Sequence, residues 1–182
     1  MAGLFDLVDR EKFLDAVRRQ EVSTNRDDPN APLLPPSEMI SSAGATGEMQ
    51  IIPSASMRPG YGASSIFDAA EQLGFSVPPD MRTEENARML ANDPVVARQY
   101  AADYLSSMFD RFGSVDSALA AYNMGPGGFG SFEAGGRELP VETQEYYPNV
   151  RQFYNQATGG NYPVGISPRP QPRPSGLLEQ MR

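Results

Sequence analysis

The 182 residues carry 23 Asp and Glu against 15 Lys and Arg, and the net charge of −8 argues against nonspecific attraction to nucleic acid or an anionic membrane as the main activity. There is no cysteine and no histidine, so the sequence offers no disulfide, no thiol nucleophile and no thiolate or imidazole metal ligand, and acid–base chemistry falls to carboxylates and tyrosines. The length suits one domain with tails, and 17 Pro and 17 Gly beside 40% hydrophobic residues predict a compact centre with irregular flanks.

The first residues, M-A-G-L-F-D-L-V-D, lack a basic n-region, and Asp6 and Asp9 break their apolar stretch, so they do not read as a secretory signal. No apolar run is long enough to span a bilayer. The expectation is a chain kept inside, or exported by another route.

From Asp9 to about Glu21 the pattern predicts a helix. Asp9 can cap it, although Lys12 stands where a capping box would carry Glu. Phe13, Leu14 and Val17 form one apolar stripe, and Glu21, four residues after Val17, continues that inward face. A carboxylate there is either a surface residue at a fraying helix end or an acid pointed into a cleft.

The prolines within Asn25–Pro36 exclude helix and inner strand, so this is an extended loop, pinned by Leu33 and Leu34. It is expected at the rim of any cleft that Glu21 faces. Ser41–Pro53, S-S-A-G-A-T-G-E-M-Q-I-I-P, reads as a tight turn anchored by Met49, Ile51 and Ile52. Gln50 adds donors and an acceptor suited to a neutral polar ligand such as a sugar. Arg58–Gly62, R-P-G-Y-G, is another loop marker.

Ile66–Leu73 predicts a short helix stopped by Gly74, and Thr83-Glu84-Glu85 opens another that ends near Ala91. Asp93-Pro94 reads as an N-cap followed by proline at the first helical position, starting a long helix to about Phe112. Val95, Val96, Tyr100, Ala101, Tyr104, Leu105, Met108 and Phe109 mark its expected buried side. Asp116 is the expected cap of the next helix, whose Ala118, Leu119, Ala120 and Ala121 allow close packing. That helix ends in Tyr122-Asn123, where the Gly-Pro-Gly breaker places a hydroxyl and an amide at an opening. A last helix begins near Leu139-Pro140-Val141 and carries Tyr146, Tyr147, Val150, Phe153 and Tyr154. From Gly159 the composition turns to a polyproline-type tail.

The sum is a mostly α fold of five to seven helices: a helical domain over 1–158 with a loop-rich flank, then an extended Pro-rich tail over 159–182. Any sheet is limited to one small hairpin in the loops. Gly159–Arg182 has too little apolar content to fold alone, and is expected to lie against another chain through Leu177, Leu178 and Met181.

Three motifs recur together in a known family. G-A-T-G-E-M-Q-I-I-P-S-A, then A-L-A-A-Y-N-M-G-P-G, then L-P-V-E-T-Q-E-Y-Y-P-N-V, in this order and spacing, resemble the soluble lytic transglycosylases, over about Phe13 to Phe153. The R-P-G-Y-G stretch is similar to the version in phage virion proteins that degrade peptidoglycan during genome entry. The resemblance implies a goose-type lysozyme-like fold. It also implies cleavage of the β-1,4 bond between N-acetylmuramic acid and N-acetylglucosamine, without water or cofactor, leaving 1,6-anhydro ends. Peptidoglycan glycan strands would be the substrate, and other virion proteins would be partners through the tail. Such a protein would reside in the virion and act at the host periplasm or cell wall.

Carried onto this sequence, the resemblance makes Glu21 the catalytic acid. Gln50, Tyr122, Asn123 and Tyr146 would be substrate-binding residues, and Glu142 a structural group. A single glutamic acid doing both proton transfers suits a chain without histidine, provided a dry site raises its pKa. Two departures stand out. The family has Ser directly after the Glu, where this chain has Val22 and then Ser23, and the proline loop lengthens the path to Gly44. Glu38 is the competing acid, close to Gly44 and on no expected helix. Glu48, where the family has Leu, reads as a solvated neighbour. A hydrolysing muramidase would share the same site, and an inactive virion adaptor with a retained lysozyme-like fold is the alternative of a different class.

Overall fold

The computed structural model describes residues 2–163 except 27 and 29. The expected tail anchors Leu177, Leu178 and Met181 lie outside the described residues. Among the described residues there are nine α-helices and two 3₁₀ turns, more helices than the sequence pattern predicts. The extra ones are mainly short: α1 (Leu4–Leu7), α3 (Pro53–Ser56) and α8 (Pro126–Glu133).

The element that carries Glu21, α2, spans Arg10–Val22. The Asp9 side chain accepts from the Lys12 backbone N–H, so the cap works without its reciprocal Glu. Phe13, Leu14 and Val17 are fully buried, each worth about 1.5–3 kcal/mol of transfer free energy. The helix stops because the proline loop turns back alongside it. The Leu34 N–H donates to the Val22 carbonyl at 2.7 Å, and the Thr24 N–H donates to the Pro32 carbonyl at 3.0 Å. These loop bonds satisfy a carbonyl at the helix end that would otherwise lack a partner. Leu33 and Leu34 are half-buried. The one expected hairpin is replaced by three isolated bridges, Ser23 with Leu33, Ile40 with Thr46 and Thr46 with Ile51.

The glycine turn between residues 41 and 53 is held against the end of α5 (Glu84–Asn92). The Thr46 hydroxyl donates to Asn92 Oδ1 at 3.0 Å. A Cβ on Gly47 would sit 2.2 Å from the Ala91 carbonyl oxygen, so only glycine fits this contact.

The next helices are α4 (Ile66–Gln72), capped by Ser65, and then α5, capped by Thr83. Helix α6 (Pro94–Phe112) starts as expected: the Asp93 carboxylate accepts from the Val95 and Val96 N–H groups, and Pro94 occupies the first turn. Gly113, at φ 78°, closes it. Val95 is a correction to the expected buried side. It is 60% exposed, because it lies on the outward side of the first turn, where Val96 and Ala97 take the packed side, while Tyr100, Ala101, Leu105 and Met108 are buried.

Helix α7 spans Val115–Met124, and Ser114 rather than Asp116 is its cap. Asp116 is the second residue of the helix, in its first turn, and is fully buried. Its carboxylate accepts from Arg151 and, at 2.7 Å, from the Tyr162 hydroxyl. Tyr162 is itself buried, so the chain just past α9 (Val141–Thr158) folds back onto α7. Ala118, Leu119, Ala120 and Ala121 are all fully buried, and α7 packs on α6, α8 and α9 while α2 lies along α9. A second, smaller cluster joins Met108, Phe129, Phe132 and Leu139, so the Gly-Pro-Gly breaker turns the chain into α8 rather than into a loop.

Candidate active site

The ends of α2 and α7, the start of α9 and the glycine turn meet at one place, and Glu21 stands there. It is half-buried in the last turn of α2. The fully buried Tyr146 donates its hydroxyl to Glu21 Oε1 at 2.6 Å. Burial pushes the Glu21 carboxyl up to about 7. The Tyr146 bond and the guanidinium of Arg26 oppose that rise, and the carboxylate of Glu142 adds to it. Burial dominates, so the group exchanges its proton near neutrality.

Arg26 belongs to the proline loop, and its field is felt by both Glu21 and Tyr146. The loop therefore borders the site. Sequence reasoning missed this cation, since the motifs themselves hold no Lys or Arg beside the acid.

Tyr122 projects from the last turns of α7. Its hydroxyl donates to the Met49 carbonyl at 2.8 Å, which ties α7 to the glycine turn. Burial and the neighbouring Glu21 hold the hydroxyls of Tyr122 and Tyr146 far above the usual phenol range. Both remain neutral donors. Behind Tyr122 the aromatic row continues through Tyr104, edge-on at 5.8 Å between ring centres, to Tyr100, stacked on Tyr104 at 5.9 Å.

Gln50 has φ 47°, a left-handed backbone for a non-glycine residue. Its amide nitrogen donates to the carbonyls of Met39, at 3.1 Å, and Gly47, at 2.9 Å. The donors thus staple the turn, leaving the amide oxygen as the atom with which Gln50 could meet a ligand. Asn123 Oδ1 accepts from the buried Thr143 hydroxyl at 2.6 Å, joining α7 to the start of α9. That bond leaves the Asn123 amide N–H groups as its donors toward a ligand. Thr143 was not singled out from the sequence, although it lies in the E-T-x-x-Y stretch that flagged Tyr146.

The competing acid, Glu38, ends a 3₁₀ turn (Pro36–Glu38) and is exposed. Glu48 is not a solvated neighbour. Its side chain is 14% exposed and pairs with Arg18 at 3.3 Å and Arg98 at 3.8 Å, which fastens the glycine turn to α2 and α6. The described residues contain no group of three or more His, Cys, Asp or Glu side chains arranged to hold a metal ion. None of the described helices is long and apolar enough to cross a membrane.

The arrangement combines one carboxyl with a pKa raised to about 7, the Tyr146 phenol bonded to it and the Tyr122 phenol within its field. It is able to give a proton to an oxygen atom and, once ionised, to take one back.

The family model for the transglycosylase SLT domain matches residues 36–136. That range includes Gln50, Tyr122 and Asn123, whereas Glu21 and Tyr146 fall outside it. Among solved structures, the chain is similar to an inactive mutant of the lytic transglycosylase Slt from Pseudomonas aeruginosa. The TM-score is 0.52 and the identity 23%, over 88% of this chain and 22% of that one. The fold is shared, and the present chain spans about a fifth of the length of that protein.

Proposed function

This chain belongs to the transglycosylase SLT family, and from that premise we propose that it is a peptidoglycan lytic transglycosylase with Glu21 as its acid and base. The observation that carries the assignment to Glu21 is its environment. It is the carboxyl held by a buried tyrosine where α2, α7, α9 and the glycine turn converge, and burial raises its pKa to about 7.

In the first step Glu21 gives its proton to the glycosidic oxygen. The bond from the muramyl C1 to that oxygen breaks, and the N-acetylglucosamine leaves with a free 4-hydroxyl. Glu21, now a carboxylate, takes the proton from the muramyl C6 hydroxyl as O6 bonds to C1. The 1,6-anhydro ring closes, Glu21 is protonated again, and no water is consumed. One carboxyl with a pKa near the working pH is suited to both transfers, unlike the two-carboxylate scheme of most glycosidases. Tyr146 steadies the carboxylate formed between the steps. In this reading the Gln50 oxygen and the Asn123 amide hold acetamido groups, supported by the bonds that commit their other polar atoms.

The test is mass spectrometry of digested peptidoglycan. Anhydro-muramyl ends are expected; reducing muramyl ends would mean hydrolysis instead, and intact sacculi would mean that the fold serves as an adaptor. We also propose that the protein acts from a virion on the host wall, supported by the R-P-G-Y-G stretch and its likeness to phage virion enzymes. Detection of the chain in purified particles would test that placement.

A further inference from the structure

No residue of the R-P-G-Y-G stretch takes part in the proposed mechanism, and Tyr61 supplies its exposed aromatic ring. It lies between Gly60 and Gly62, and all three residues have positive φ, 72°, 54° and 80°. The two glycines adopt this backbone without strain; Tyr61 does not. A third glycine would fold the loop more easily, yet the position carries a large ring that is 47% exposed. Strain retained beside a site is a mark of use.

The ring is also held firmly. The Arg111 guanidinium, at the end of α6, lies over it at 4.6 Å from the ring centre. Its hydroxyl reaches the first turn of α8, 3.4 Å from where a Cβ on Gly127 would stand. The Tyr104 phenol is held up first by burial and then by the field of Tyr61, which lies within electrostatic reach of it. Tyr104 in turn meets Tyr122 edge-on, and Tyr122 is beside Glu21. Tyr122 and Tyr104 are packed ring against ring, and the solvent-facing Tyr61 lies beyond Tyr104, held by Arg111.

We propose that Tyr61, backed by Arg111, is a platform for an additional sugar ring of the glycan strand, beyond Tyr104 as seen from Glu21. The apolar face of a pyranose packs on such a ring, and the phenol hydroxyl offers a polar edge to the sugar hydroxyls. This rests on the glycan-cleaving reading above. The platform binds carbohydrate chains long enough to reach past the cleaved bond, and contributes nothing to short ones.

The test is calorimetric titration of the full chain with the β-1,4-linked hexamer and dimer of N-acetylglucosamine. A Glu21→Gln background keeps the ligand intact. Tyr61→Gly preserves the left-handed backbone and removes only the ring. The expected result is hexamer affinity weakened about three- to ten-fold with dimer affinity unchanged. Tyr61→Phe should retain most of the affinity, and the melting temperature of Tyr61→Gly should stay level or rise. Equal hexamer affinity in parent and Tyr61→Gly proteins would overturn the platform and leave the proposed reaction standing. A loss for the dimer as large as for the hexamer, or a melting temperature that drops with the affinity, would make Tyr61 a loop clamp. Absence of hexamer binding by the parent would overturn the platform and the glycan reading together.

Discussion

Replacing Glu21 by Gln separates the chemistry of the acid from its effect on stability. Gln keeps the oxygen that Tyr146 bonds, and only the titrating proton is lost. In the folded protein the Glu21 carboxyl is raised from 4.5 to about 7. Between those values the folded state holds a proton that the unfolded chain has released, so stability falls as pH rises from about 4.5 to 7 and then levels off. Such a displacement corresponds to about 3 kcal/mol of folding free energy. The Gln variant escapes that loss. It should match the parent near pH 4 and exceed it above pH 8 by as much as about 3 kcal/mol. In melting temperature this is roughly 2–4 °C for each kcal/mol in a chain of this size. Urea denaturation of both proteins across this pH range checks the stability, and release of soluble muropeptides checks the chemistry. The variant should release none, while Glu38→Gln should work normally and parent activity should decline above pH 7, where the acid loses its proton. Parallel stability curves would show that the carboxyl is ionised in the folded state. A Glu21→Gln protein that still cuts would remove Glu21 from the mechanism.

Tyr146→Phe removes the bond that opposes the rise in the Glu21 pKa, so the alkaline decline in activity should move to higher pH, at a stability cost of about 1 kcal/mol; a pH–rate profile with an unmoved decline would contradict this. Glu48→Leu removes the pairs to Arg18 and Arg98 and should cost about 1 kcal/mol, a difference that shrinks in about 1 M salt when the two proteins are unfolded side by side in urea. Asp116→Ala leaves Arg151 and the Tyr162 hydroxyl without their buried acceptor; it should cost about 2 kcal/mol or more, seen as a lower melting temperature.

The long elements were legible because their signals are local. Asp93-Pro94 and Gly113 bracket α6, and Phe13, Leu14 and Val17 show which way α2 faces, which in turn points Glu21 inward. Asp116 was misread for the opposite reason. Its sequence neighbours make it look like a cap, but Ser114 fills that place, and its true partners lie 35 and 46 residues away. Glu48 likewise looked solvated because Arg18 and Arg98 reach it from two other helices. Arg26 was hidden within a proline loop whose path back along α2 depends on bonds to Val22 and Thr24. Gln50 was legible as an amide at the site, whereas the commitment of its donors to Met39 and Gly47 depends on the φ of 47° that the turn imposes.

The fit of Gly47 against α5 also says what the glycine turn will tolerate. Gly44, three residues earlier, has φ 80° and nothing within 4 Å of a Cβ. An alanine there would meet only the torsional penalty, roughly 1–2 kcal/mol, and D-alanine, whose preferred torsions are the mirror image, would avoid even that. At Gly47 an L-alanine methyl would run into the Ala91 carbonyl. To admit it, the end of α5 would have to withdraw and give up the Thr46–Asn92 bond. One glycine of the turn excludes a handedness; the other excludes any added atom on its α5 side. A library of substitutions should therefore find position 44 depleted but populated, and position 47 empty unless the residues around Ala91 change with it.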